Sequence, residues 1–290
     1  MLVLVVDANN VECWYQNGRL HRPNDLPAKI WSDEIDGKIT QEWYQNGKLH
    51  RDGDLPAVIK SDGTQLWYQH GKRHRAGDLP AAISLDGSQI WAQNGNFHRD
   101  GYLPAVIWSN GTLVWYQHGK FHRDHDLPAL ILPDGTKVWC QHGKDHRDGD
   151  LPAIIYPDGI NGNITQIWSQ HGKQHRDNDL PAIICSDGTQ EWWQHGKCHR
   201  GGDLPAIIWS NGAQEWWQHG HRHRSNDLPA IIYKNGSQRW YQRGQLHRDN
   251  KLPAVIWADG INGKRSKEWH DHGVKLSDIP IIRSIQHIIL

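Results

Sequence analysis

The residues in this sequence that could do chemistry are its histidines, the arginine that follows one of them in each copy of a repeat, and its tryptophans. There are 21 His and 17 Trp in 290 residues. His118 and His122 flank one turn, His142 and His146 the next, and His219, His221 and His223 form the densest group. Imidazoles this close can ligate Zn²⁺ or Ni²⁺. No Cys or carboxylate recurs at a fixed ligand spacing, however. The first His of the pair is replaced by Asn17, Asn46, Asn94 and Arg243, which fits a turn position where Asn and His interchange. The expectation is no metal site and no cofactor.

Arginine makes the second series. His-Arg recurs from His21-Arg22 to His247-Arg248, and a ladder of guanidinium forks could track phosphates of a lipid or a nucleic acid. An Asp precedes the Leu of Leu-Pro-Ala in most copies, Tyr102 and Lys251 being the exceptions. The arginines, Arg51, Arg75, Arg99, Arg123 and Arg147 among them, are therefore expected to pair with Asp inside the molecule, across the bend.

Tryptophan makes the third. Trp14, Trp43, Trp67, Trp91, Trp115, Trp139, Trp168, Trp192, Trp216, Trp240 and Trp269 hold one place in the repeat. Stacked indoles can form a platform for sugars or bases. Residues that return unchanged are more simply explained by packing between copies, so Trp43 to Trp240 are expected to form a structural ladder with the arginines. Trp31, Trp108, Trp193, Trp209, Trp217 and Trp257 fall off this register, on the face that varies. Trp193, Trp209 and Trp217 lie in consecutive copies and are the candidate protein-contact patch. No Gly-x-Ser-x-Gly or Walker motif is present, and the polar residues come in identical tiers rather than as a few unlike groups, so no catalysis is expected.

These series are positioned by a repeat. Seven steps between the ladder tryptophans are 24 residues and three are 29. Such periods mean stacked supersecondary units. The five extra residues fall near Asp36-Gly37, Ile160-Asn161-Gly162 and Ile261-Asn262-Gly263, and read as longer hairpin tips. Each unit reads as strand, turn, strand: Leu-Pro-Ala-x-Ile, an Asx-Gly turn, Thr-Gln-x-Trp-Tyr-Gln, then a second turn such as Asn46-Gly47 or His70-Gly71. Helical periodicity is absent. Pro marks a bend before each first strand. Comparing copies, alternation along a strand puts Leu, Ala, Ile, Trp and Gln on one packed face and the changing residues on an exposed one.

The fold expected is all-β, an elongated twisted antiparallel meander, solenoid-like, of hairpin repeats in one sheet. It is expected to be one continuous domain: a degenerate N-terminal cap over 1–25, a ten-copy array over 26–278 and a C-terminal capping strand over 279–290. Lys plus Arg and Asp plus Glu both number 32, for zero formal charge, which argues against nucleic acid as the partner. The four cysteines, Cys13, Cys140, Cys185 and Cys198, show neither a disulfide framework nor a zinc spacing. No signal peptide or transmembrane segment is read, so a cytoplasmic or virion location is expected.

Glu42-Trp43-Tyr44-Gln45-Asn46-Gly47-Lys48-Leu49-His50, repeated through Lys267-Glu268-Trp269, resembles the MORN-repeat variant family across nearly the whole chain. The wording Leu-Pro-Ala-Val-Ile and Trp-Tyr-Gln-His-Gly-Lys is similar to the expanded MORN-like families of giant DNA viruses. The resemblance implies a meander of hairpins acting as a scaffold that holds proteins together or near membranes. The Leu-Pro-Ala segment and the Gln after Trp-Tyr depart from the usual unit. The function expected is a non-catalytic scaffold meeting other proteins or its own copies; the alternative is a peripheral phospholipid-binding module.

Overall fold

The structure, a computed structural model, describes residues 1–32, 37–157, 162–258 and 266–276. It is all-β, with no α-helix among the described residues. Its contacts divide the chain into two compact units, Met1–Asp148 and Gly149–Leu290. The hairpin tips at 33–36, 158–161 and 259–265 and the proposed capping strand at 279–290 lie outside the described residues.

Each unit of the chain carries an open antiparallel meander whose strands pair in sequence order. In the first, Leu2–Val6 pairs with Glu12–Gln16, which pairs with Lys29–Ser32, and so through Val58–Ile59, Gln65–Leu66 and Ala82–Ile83 to Lys137–Val138. In the second, the meander runs from Ile154–Pro157 through Ile183–Ile184 and Gln190–Glu191 to Lys267–Glu268. The five-residue insertions lengthen the hairpin arms: Lys29–Ser32 and Ile39–Glu42 pair out to Ser32↔Ile39, whereas the shorter copies end at Ile59↔Gln65.

A copy holds four short strands, not the two expected. Beyond Trp67 a separate two-stranded ribbon follows, Tyr68–Gln69 with Lys72–Arg73. Its turn has His70 at φ 52° and Gly71 at φ 83°, the double left-handed pair of a type I′ hairpin, which Asn, His and Gly tolerate. The Asp62-Gly63 turn is different, because only Gly63 is left-handed (φ 88°). There Gly63 N donates to Lys60 O and Lys60 N to Thr64 O, both at 2.9 Å, so a bulge closes a type I turn. Successive ribbons are tied by one backbone-to-backbone bond, Gly71 N to Leu49 O at 2.8 Å and Gly95 N to Arg73 O at 2.9 Å.

Burial corrects the expected faces. Ala57 and Trp67 are buried, but Leu55 is 43% exposed and Gln69 lies at the surface, while the changing residue Val58 is 4% exposed and Ile59 only half-buried. The reason is that the chain corners twice, at Pro-Ala and at Trp. Alternation by two holds only along an unbroken strand, and Trp67 interrupts one, its N–H turning to Ala81 O at 2.8 Å. Ala is constant because Ala81 spends its carbonyl on Trp67 of the preceding copy and its N–H on Ile90 O of its own copy at 2.7 Å, with no exposed surface left for a larger side chain.

Candidate functional site: the Trp–Arg–Asp corner, the His–Asp ladder and the variable face

At eight corners the indole of one copy, the guanidinium of the same copy and the carboxylate of the copy before come together. The bend residue before Leu is left-handed (Asp54 φ 55°, Asp78 φ 55°), a conformation Asp accepts more readily than most side chains. Its carbonyl accepts the indole N–H, Trp67 Nε1 to Asp54 O at 3.0 Å. The Arg75 guanidinium carbon lies 3.9 Å from the centre of the Trp67 ring, within cation–π range. Arg75 Nε and Nη2 each donate to the Asp54 carboxylate at 2.9 Å, and Nη1 donates to Pro80 O at 3.2 Å. Two parallel bonds from a planar fork are the strong arrangement for carboxylate recognition.

The same geometry joins Arg51 to Asp25, Arg99 to Asp78, Arg147 to Asp126, Arg176 to Asp150, Arg200 to Asp179, Arg224 to Asp203 and Arg248 to Asp227. The guanidinium bond holds each of these eight carboxyls below the usual range. The partner is always in the preceding copy, not across the bend of its own. Arg123 is different. Its guanidinium lies 3.7 Å over Trp115 and Nη1 reaches Pro128 O at 3.1 Å, but Tyr102 stands where Asp should be, and Nε is buried with no acceptor.

The histidines form a second ladder. His50 stacks on His70 of the next copy at 4.6 Å, and His122 on His142 at 4.7 Å, so imidazoles flanking one turn are not the ones that meet. His50 Nδ1 accepts the His70 backbone N–H at 3.2 Å, which leaves Nε2 to carry the proton toward Asp52 Oδ1 at 3.0 Å. Gln45 donates to the other Asp52 oxygen at 2.7 Å. His50, first, and Gln45 hold the Asp52 carboxyl below its usual range. Where the Asp is missing, as at Gly201, His199 is left stacked on His219 at 4.7 Å; burial, and then the His219 charge, push its imidazole below the ordinary value.

Three possible metal-ligand atoms come together at His247, Asp271 and His272. Asp271 Oδ1 is 3.1 Å from His247 Nδ1 and 2.6 Å from His272 Nδ1. The two rings are tilted, at 4.2 Å and 31°, and His247 Nδ1 also accepts the His272 backbone N–H at 3.3 Å.

Trp193, Trp209 and Trp217 gather around carboxylates that reasoning from the sequence missed. Trp193 and Trp217 are half-buried against Trp192, Cys198, Ala206 and Ile207. Their indoles donate to Glu191 at 2.8 Å and Glu215 at 3.0 Å. Trp209, 39% exposed, donates to the other Glu215 oxygen at 3.1 Å. Glu215 is buried and also takes Arg222 Nε at 2.9 Å. The signal that could have found it was cross-strand pairing: the residue before each ladder Trp lies opposite the changing residue of Leu-Pro-Ala-x-Ile, as Ile207↔Glu215 shows. Burial pushes the Cys140 and Cys198 thiols up to about 12, so neither is a ready nucleophile.

Neither comparison yields a relative. A scan against protein-family models finds no match for the chain, and a search of curated proteins finds none either. No helix among the described residues is long and apolar enough to cross a membrane, which says nothing of strands.

Proposed function

We propose that this chain is a non-catalytic structural or scaffold repeat protein that presents its variable positions to other proteins or to further copies of itself. The observation that supports this reading is where the constant polar groups go. Arg75 binds Asp54 of the preceding copy, and His50, held by Asp52 of its own copy, accepts the His70 backbone N–H of the next, which is the work of stacking. What differs from copy to copy is left for recognition: Trp108 at 45% exposed, Trp209 at 39% and Tyr156 at 43%. The strand Leu2–Val6, apolar and about half exposed along its length, supports self-association, since an edge strand of this kind invites pairing. On this reading the chain follows the MORN-repeat variants of giant DNA viruses and acts in the cytoplasm or the virus particle, without nucleic acid or a cofactor.

The second reading is a peripheral phospholipid-binding module, favoured by the exposed Trp108 and Trp209. Against it, eight of the guanidiniums that would meet headgroups are already held by Asp.

Two measurements separate the readings. Site-specific photo-cross-linking from position 209 in its native extract is expected to trap a discrete protein, or the chain itself. Flotation with phosphatidylserine vesicles is expected to leave the chain behind at both 50 and 200 mM salt. Salt-sensitive flotation with no protein cross-link would overturn the scaffold.

A further inference from the structure

The register arginines from Arg51 to Arg248 are nine versions of one site, and eight of them show what it binds. An indole face below, a proline carbonyl on Nη1 and the Nε–Nη2 edge together hold a carboxylate at 2.7 to 3.0 Å. At Arg123 the frame is intact and the carboxylate is gone. Trp115 still lies under the guanidinium, Pro128 O still takes Nη1, and Tyr102 O still accepts Trp115 Nε1 at 2.7 Å. Only the side chain has changed.

Tyr102 does not replace the lost acceptor. Its hydroxyl is engaged with His125 Nε2 at 2.9 Å, its ring lying edge-on to that imidazole at 4.8 Å. Neighbouring carboxylates are engaged too: Asp126 with Arg147, and Asp124 with His122 and Gln117. Arg123 Nε is therefore buried without a partner, a cost of roughly the desolvation of one charged donor. A second cost accompanies it. Tyr102 keeps the left-handed backbone of the Asp it replaces, at φ 60°, where a bulky side chain is strained. Burial also pushes the Arg123 guanidinium below its ordinary value, since no carboxylate compensates.

We propose that Arg123, on its Trp115 and Pro128 frame, is a receptor site for an external carboxylate, which takes the place that Asp78 fills beside Arg99. The ligand class follows from the eight filled sites: a planar carboxylate bonded through Nε and Nη2. It comes either as a small carboxylate or as an Asp or Glu side chain of another polypeptide. The site stands whether or not the scaffold reading does.

The test follows the Arg Nε–Hε signals of the full chain by ¹H–¹⁵N NMR during titration with acetate, with Arg123→Lys assigning the signal. The Arg123 signal is expected to move to a saturating end point, while the signals of the eight Asp-bonded arginines stay in place. Tyr102→Asp, which restores the repeat's own residue and so keeps the fold, is expected to abolish the response by supplying the carboxylate internally. N-acetyl-aspartate amide binding at least tenfold tighter than acetate identifies a polypeptide ligand, and equal binding a small one. A shared, non-saturating drift of all the signals, an unchanged response in Tyr102→Asp, or saturation by inorganic phosphate but not acetate would each overturn the proposal.

Discussion

Arg75 reaches back 21 residues to Asp54, although Asp78 is only three residues ahead of it in the chain. The guanidinium spans the boundary between two copies while lying flat on Trp67 of its own. Each such clamp is therefore a term in the interface between neighbours, the quantity that decides whether a repeat array holds together.

Cutting one clamp is expected to be unequal at its two ends. Arg75→Ala loses the fork, the Pro80 bond and the stacking on Trp67, and should cost about 2–3 kcal/mol. Asp54 is half exposed, so Asp54→Ala should cost only about 1 kcal/mol. Urea unfolding of both single variants and the double variant checks the difference. Equal losses would mean that the ion pair, not the indole, carries the corner.

The pH dependence follows from the carboxyls that arginine holds low. Because the folded values of Asp25, Asp54, Asp78 and their counterparts lie below the unfolded ones, their stabilisation is complete above the ordinary carboxylate value of about 4 and is lost as pH falls through the folded values. Thermal melts are expected to be flat in this contribution above about pH 5 and to fall steeply below about pH 4. A melt unchanged down to pH 2 would refute it.

His199 adds a milder, earlier loss. Its folded value is also depressed, so its contribution is present above about pH 6.5 and declines as pH falls below that. Gly201→Asp supplies the carboxylate that His50 has in Asp52, and nothing lies within 4 Å of a Cβ placed there. The variant is expected to raise the His199 midpoint in an NMR titration and remove this early loss. A midpoint that does not rise would mean that the Asp of this motif does not govern the imidazole.

Two residues of one motif are expected to respond in opposite ways. Ala129 is wholly buried and Leu127 is 39% exposed. Ala129→Leu should cost about 1–3 kcal/mol by overpacking. Leu127→Ser should stay within about 0.5 kcal/mol. Chemical denaturation of both settles whether the small residue, rather than the large one, is the core of Leu-Pro-Ala.

Glu215 tests the variable face. Glu215→Gln keeps the shape but sets an amide against donors from Trp209, Trp217 and Arg222. Leaving such donors unpaired should cost about 2–3 kcal/mol and change the tryptophan fluorescence. An unshifted spectrum with full stability would show that the carboxylate does not order these indoles.

The all-β class and the hairpins were legible because turn chemistry is local: His70-Gly71 forms its type I′ turn from residues adjacent in sequence. The packed face was not. Leu55 and Ile59 look like core by alternation with Ala57, but the corner at Pro56-Ala57 rotates Leu55 outward and brings Val58 in. Trp209 and Trp217 were legible as a group, whereas the carboxylate that gathers them was hidden among residues that change from copy to copy.

By itself the sequence determined the period, the turn positions, the absence of helical periodicity and the constancy of Trp, Arg, His and Asp, because these depend on residue type and on contacts a few positions apart. Only the tertiary structure decided the partners: that Arg75 meets Asp54, that His50 stacks on His70, and that Arg123 meets no carboxylate. Every copy offers nearly the same side chains, so spacing cannot say which neighbour supplies the partner. The stacking of copies makes that choice, by bringing a bend of one beside the corner of the next.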